Sequence, residues 1–208
     1  IRDRIHPGDA AHWVTAATVM KAWHVDPIVS TVELNASSAT IKSVQRASVT
    51  GLSGNASTLK WEQLDDAFPL PLDLNDTLML MVLRLTDLAS LDQELLRVNG
   101  LRPGKYNLTI DHTKTLGPFS SELLAVGINL ALMDTPMLNQ ARALSGALDN
   151  RSKLEQAEFF LRVETSANDK ECASKALAEG EQDYTRQARE NLRIKPHQFE
   201  LTPIGPQQ

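Results

Sequence analysis

The order of apolar and polar positions divides the chain into three regions. In the first, the stretch "DAAHWVTAATVMKAW" carries small and apolar residues at helical spacing. Pro7, Gly8 and Asp9 stand ahead of it as helix-starting residues, and Pro27 follows it as a stop. The pattern therefore predicts a helix of about four turns near the N-terminus of the sequence.

From residue 28 to residue 118 the pattern changes to short segments that are rich in β-branched residues and separated by turn residues. Their spacing predicts an antiparallel sandwich or small barrel. Pro69 and Pro71 predict that residues 67–76 form an extended edge or linker, because proline cannot join a central ladder. The predicted strand segments are "IVSTVELN", "ATIKSVQRASVTGL", "TLKWEQL", "TLMLMVLRL", "ELLRVNGL", "KYNLTI" and "KTLGPF".

Helical periodicity returns at about residue 119 and predicts a long helical hairpin. The second helix is expected to begin near "SANDKECASKAL", with Ser166 or Asn168 as its cap, and to end before Pro196. The tail "HQFELTPIGP" is predicted to form a strand that returns to the β region. The first helix of the hairpin is indicated by Met137, Ala141, Leu144, Leu148, Leu154, Ala157 and Leu161.

Composition narrows the range of functions. The chain has 208 residues, of which 42% are hydrophobic, and a formal net charge of −5, so it offers no basic field for nucleic acid or anionic membrane. The longest apolar runs, such as "LMLMVL" at 78–83, are far shorter than the roughly 20 residues that span a bilayer. Cys172 is the single cysteine, which excludes an intrachain disulfide and a multi-cysteine zinc site.

The stretch "DRIHP" at residues 3–7 carries the clearest chemistry in the sequence. Asp3 precedes His6 by three residues, and on a turn this spacing lets the carboxylate accept a hydrogen bond from the imidazole Nδ1–H. The Nε2 atom is then left free to act as a base. A capped, exposed entry into the following helix is the alternative interpretation of the same residues.

The longer stretch "DRIHPGDAAHWVTAATVMKAW" closely resembles the last sequence block of the SGNH/GDSL-type hydrolases. Two later stretches, "LKWEQLDDAFPLPLDL" and "LMDTPMLNQARAL", are similar to segments that follow this block in a bacterial branch of GDSL-type esterases. The resemblance implies an α+β chain that is the C-terminal half of such an enzyme. Residues 1–27 would be the last piece of a flavodoxin-like α/β/α domain, 28–118 a β-sandwich-like accessory region, and 119–208 a helical hairpin with a final strand.

The same resemblance implies a carboxylic ester hydrolase with a Ser–His–Asp triad, in which His6 is the general base and Asp3 orients it. It implies no cofactor and no metal, a small ester substrate such as an acylated carbohydrate, and a periplasmic or secreted bacterial location. Gly8 and Asp9 are followed by Ala10, and no Gly-Asp-Ser motif occurs in the sequence. We therefore expect the serine and the oxyanion-hole donors on an N-terminal half, and this chain alone to be inactive.

A second hypothesis treats the chain as a non-catalytic module. The β region would contact carbohydrate, and the hairpin would bind a partner or pair with a second copy in a homo-oligomer. A zinc site formed by Asp3, His6 and His12 is disfavoured, because two histidines on a helix share a metal at a spacing of three or four residues.

Other polar and aromatic residues have simpler interpretations. Asp65 and Asp66, as neighbours on a strand, are predicted to lie in a turn or on a solvated face. Trp61 is expected in a sandwich core, with stacking on a sugar as the alternative. Helix packing is favoured over an acyl pocket for Trp13 and Trp23. Three isolated histidines are predicted to be structural or exposed: His24, His112 and His197.

Overall fold

The computed structural model describes residues 8–164 and 167–205. This part of the chain forms two compact units: residues 8–138 together with 194–205, and residues 139–193. The sequence-based boundary at 118/119 falls inside the first unit, and so does the tail after the hairpin.

The chain is α+β. Its helices are α1 (Asp9–Ala22), α2 (Thr77–Leu85), α3 (Ser121–Val126), α4 (Pro136–Glu164) and α5 (Ala167–Leu192), with 3-10 turns at Leu88–Leu91 and Leu130–Leu132. Its strands are β1 (Ile28–Asn35), β2 (Thr40–Gln45), β3 (Ala47–Asn55), β4 (Thr58–Asp65), β5 (Gln93–Asn99), β6 (Lys105–Ile110), β7 (Lys114–Ser120), β8 (Ile128–Asn129) and β9 (His197–Pro203).

Two sheets make up the first unit. One has the strand order β2-β1-β5-β8, and the other, which is antiparallel throughout, has the order β3-β4-β9-β6-β7. Strand β9 pairs with β4 and β6, so the predicted return of the tail to the β region is confirmed. The antiparallel prediction is wrong for β1 and β5, which run parallel. Residues 36–92 connect them, and a connection of this length permits the crossover that parallel neighbours require.

The inner faces of the two sheets enclose one hydrophobic core. Leu34 of β1, Val98 of β5, Leu108 of β6 and Leu201 of β9 are all fully buried in it. The indole of Trp61 stacks on the ring of Phe199, with centroids 5.1 Å apart and planes 13° from parallel. Trp61 is therefore a core residue, as its position in a strand predicts, and it is not available to stack on a sugar.

Helix α1 begins where the sequence predicts. Gly8 is its N-cap, in extended conformation, and the backbone N–H groups of Ala11 and His12 donate to the Gly8 carbonyl. The helix ends at Ala22, and His24 follows in the left-handed conformation at φ 51°, several residues before Pro27. Ala17 is buried against the second, smaller core of the unit.

The segment "TLMLMVLRL", predicted to be a strand, is helix α2. The Asp76 carboxylate accepts a hydrogen bond from the Leu78 N–H and caps the helix, and Met79 and Val82, three residues apart, form its buried face. Leucine and methionine favour helices, and this preference explains why the apolar run forms a helix and not the predicted strand. The proline-rich residues 66–76 form no strand, and Leu72 within them is fully buried with α2.

The second unit contains the rest of α4 and all of α5, which confirms the two predicted helices. The Gln140 side-chain amide on α4 donates to the carbonyls of Asn191 and Arg193. A Cβ added to Gly180 would lie 2.7 Å from Leu154 Cδ1, so glycine lets the two helices approach closely there. Ser166, one of the predicted caps, lies outside the described residues, and Asn168 lies within α5. No helix in residues 8–164 or 167–205 is long and apolar enough to cross a membrane.

Candidate functional site

Asp3 and His6, the residues predicted to carry catalysis, lie outside the described part of the chain, so their roles stay predictions. What the structure shows is the segment that follows them. His12 is exposed on the first turns of α1, and Trp13 is partly buried against the small core. Trp23 is 76% exposed in the described part of the chain, so its predicted packing against an α/β core stays a prediction.

Polar side chains gather instead at one end of the sandwich, between the two sheets. We call this group the buried polar layer, and each member is at most 7% exposed. Two members come from adjacent parallel strands, because Ser30 on β1 pairs in register with Glu94 on β5. Two more come from the other sheet, where Gln63 on β4 pairs with His197 on β9. The layer consists of Ser30, Gln63, Asp65, Asp92, Glu94 and His197.

Strand periodicity places these polar residues inside. Side chains two residues apart share a face of a strand, so Glu94 shares its face with the buried Leu96 and Val98. The inner face of β4 carries a hydrogen-bonded ladder. The Trp61 Nε1–H donates to Gln63 Oε1 at 3.2 Å, and Gln63 Nε2 donates to Asp65 Oδ1 at 2.8 Å.

A histidine and an aspartate from distant parts of the chain meet at the edge of the layer. His197 Nδ1 lies 2.6 Å from Asp111 Oδ2, and Asp111 Oδ1 accepts the Gln198 N–H at 2.9 Å. Asp111 occupies a left-handed turn at φ 52°, a conformation that aspartate and asparagine tolerate better than most residues. The His197 Nε2 atom is buried and has no hydrogen-bond partner among the described residues.

Two carboxyl groups of the layer have strongly raised pKa values. Burial raises the pKa of Asp92 to about 7, although the Leu70 N–H donates to its carboxylate and partly opposes the shift. Burial raises the pKa of Glu94 well above its usual range, and the nearby Asp65 and Asp92 carboxylates raise it further. Neither carboxyl oxygen of Glu94 has a partner among the described residues. Burial therefore favours the neutral, protonated form of the Glu94 carboxyl group.

Asp65 is the third carboxyl group of the layer. Burial raises its pKa, and the hydrogen bond from Gln63 and the proximity of His197 act in the opposite direction. The layer is closed to substrate, because all of its members are buried. The described residues also hold no group of three or more His, Cys, Asp or Glu side chains placed to bind a metal ion. What the layer can do chemically is take up or release protons, and thereby set how stability depends on pH.

The prediction for Asp65 is wrong, because the residue is buried and hydrogen-bonded, whereas Asp66 is exposed as expected. His197 is structural, as one of the two predicted alternatives states. The signal that was missed is the period of two. It places Asp65 on the face of Trp61 and Gln63, and His197 on the face of Phe199.

Comparison with known proteins identifies a solved structure with a similar fold. No known family model matches the sequence, and no curated protein matches it. Among solved structures, the chain is similar to a gut microbial diltiazem-metabolizing enzyme, with a TM-score of 0.79 and 21% sequence identity. The match covers 97% of this chain and 56% of that protein, so this chain spans little more than half of its length. At this identity the similarity establishes a shared fold.

Proposed function

We propose that this chain is the C-terminal part of a carboxylic ester hydrolase of the SGNH/GDSL type. His6 is the general base of its Ser–His–Asp triad, and Asp3 orients that base. The serine nucleophile and the oxyanion-hole donors belong to a part of the protein outside these 208 residues, since no Gly-Asp-Ser motif occurs among them. The substrate is a small ester, and acylated carbohydrates are the class that the family resemblance favours.

The observation that carries the proposal is the block "DRIHPGDAAHW" with the helix that begins directly behind it. Gly8 caps α1 two residues after His6, so the described segment starts its helix where the resemblance expects one. The similarity in fold to an enzyme that is nearly twice as long is consistent with a further part that carries the nucleophile.

The proposed chemistry assigns one task to each residue. His6 Nε2 accepts the serine proton as the hydroxyl attacks the ester carbonyl, and His6 then returns that proton to the leaving alcohol. The Asp3 carboxylate holds the Nδ1–H, fixes the tautomer and stabilises the imidazolium that forms. Backbone or amide donors elsewhere in the protein would stabilise the oxyanion.

The test is hydrolysis of p-nitrophenyl acetate by the full-length gene product and by its His6→Ala variant. We expect kcat/KM to fall by about a thousandfold or more, because the nucleophile loses its base. The matched control is His12→Ala, which removes an exposed histidine six residues further on and should leave kcat/KM unchanged.

The same two variants decide the outcome. A His6→Ala protein as active as the parent would refute the triad assignment. An equal loss in His6→Ala and His12→Ala would indicate a general effect on this end of the chain, and it would also count against the proposal.

A further inference from the structure

We infer that the end of the sandwich opposite the buried polar layer carries a binding site for a carboxylate-bearing carbohydrate of the uronic acid class. An open groove of about 500 Å³ lies there, within the size range of small-molecule sites. It is formed by the β1–β2 turn, the β3–β4 turn and the loop between β5 and β6. Its lining residues are Ser37, Asn55, Ala56, Ser57, Thr58 and Arg102.

Hydrogen bonds fix the shape of this groove before any ligand arrives. The Arg102 N–H donates to the Ala56 carbonyl at 2.7 Å, and the buried Tyr106 hydroxyl donates to the Arg102 carbonyl at 2.8 Å. Gly100, at φ 73°, sits so close to the β1–β2 turn that an added Cβ would lie 2.9 Å from Ser37 Oγ. Binding therefore requires little ordering of the loops, which favours affinity.

The charge of the groove selects an anion. Arg46 and Arg97, elsewhere on the sandwich, pair with Asp26 and Glu33. Among the described residues, the Arg102 guanidinium has no such partner, and no carboxylate lines the groove. A guanidinium presents paired N–H donors that match a planar carboxylate in a bidentate arrangement.

The remaining donors point to a sugar and away from a phosphate. A phosphate site usually offers free backbone N–H groups, but here those of Ser57 and Thr58 already donate to Asn55 Oδ1. The groups left for a ligand are the Asn55 side-chain NH₂ and the hydroxyls of Ser57 and Thr58, for which no side-chain partner occurs among the described residues. Such groups pair with the hydroxyls of a carbohydrate. Ala56 is the single apolar lining residue, so the groove does not suit an apolar ligand.

The experiment is isothermal titration calorimetry of the purified protein with trigalacturonate. Maltotriose, sodium acetate and inorganic phosphate serve as probes of the neutral sugar, the carboxylate and the simple anion. We expect trigalacturonate to bind measurably more tightly than all three. Arg102→Ala should weaken this binding about tenfold or more. Thr58→Val should weaken it less, because one neutral hydrogen bond is lost.

Arg84→Ala is the matched control, since it removes an exposed arginine from α2, away from the groove, and should leave the affinity unchanged. The proposal is overturned if trigalacturonate does not bind, if phosphate or maltotriose binds as tightly, or if Arg102→Ala retains the parent affinity with an unchanged melting temperature. If Arg102→Ala does not fold, Thr58→Val becomes the test, and an unchanged affinity in that variant overturns the proposal.

This inference does not depend on ester hydrolysis. A protein that binds trigalacturonate but leaves p-nitrophenyl acetate intact would support the groove and refute the hydrolase proposal. Cleavage of the ester without saccharide binding would do the reverse.

Discussion

Two regions of this chain combine an aspartate with a histidine, and they do so in opposite ways. Asp3 and His6 are three residues apart in the sequence, ahead of an exposed helix face. Asp111 and His197 are 86 residues apart and meet through the pairing of β6 with β9. The second pair is enclosed, with His197 only 7% exposed, so it cannot act on a substrate from solution. An Asp–His contact is therefore insufficient evidence for catalysis, because such a contact can also be enclosed and structural, as it is at Asp111 and His197.

Among the variants of these two regions, we expect the largest change in activity from Asp3→Asn. Asp3→Asn keeps the size of the side chain but removes its charge. If Asp3 has the proposed role of stabilising the His6 imidazolium, kcat should fall about a thousandfold or more while the unfolding free energy stays unchanged. Rates with p-nitrophenyl acetate and urea unfolding of the same preparation provide both values. A loss of stability that matches the loss of rate would contradict the assigned role.

The next effect concerns pH and Asp92. Its pKa is about 7 in the fold against an ordinary 3.8, so the folded state retains a proton that the unfolded state releases over this range. The stabilising contribution is complete below pH 3.8 and is lost as the pH rises to about 7. The difference between the two pKa values corresponds to a loss of unfolding free energy on the order of 4 kcal/mol at most.

Asp92→Asn keeps an oxygen that can accept the Leu70 N–H, yet it cannot ionise. Urea unfolding between pH 4 and pH 8 should show a weaker decline of the unfolding free energy for this variant than for the parent. Asp66→Asn, on the exposed neighbour of Asp65, is the control and should follow the parent curve closely. Parallel curves for the parent and Asp92→Asn would show that Asp92 does not titrate in this range.

A smaller effect is expected at the enclosed pair. Asp111→Asn preserves the left-handed turn and one acceptor oxygen, but it weakens the contact with His197, so stability should fall by about 1 to 3 kcal/mol. His112→Asn, in the same turn and exposed, should change stability by no more than about 0.5 kcal/mol. Equal unfolding midpoints for the two variants would show that the pair contributes nothing.

Local patterns made part of this structure predictable. The helix behind "HPGD", the two long helices and most strands follow from periodicity and from stop residues over a few turns. The parallel pairing of β1 with β5 does not follow, because it depends on how residues 36–92 cross the sheet. Helix α2 could have been predicted, because Leu and Met favour a helix and Asp76 is a capping residue.

The buried polar layer was also predictable only in part. Its burial was predictable, because Asp65, Glu94 and His197 each share a strand face with apolar neighbours two residues away. Its contacts were not, because no local rule relates Asp111 to a histidine 86 residues later or brings carboxyl groups of two sheets together. The proposed catalytic roles of Asp3 and His6, in contrast, rest entirely on local information, namely the spacing of residues 3–7 and the resemblance of their surroundings to a known family.

One measurement addresses the central claim, which is that the two Asp–His pairs have opposite roles. His6→Ala and His197→Gln are prepared in the full-length protein, and kcat/KM on p-nitrophenyl acetate and the free energy of unfolding are determined for each. We predict that His6→Ala loses activity at parental stability, whereas His197→Gln loses stability and, where folded, keeps the parental kcat/KM. Parental activity in His6→Ala, or loss of activity in a stably folded His197→Gln protein, would contradict it.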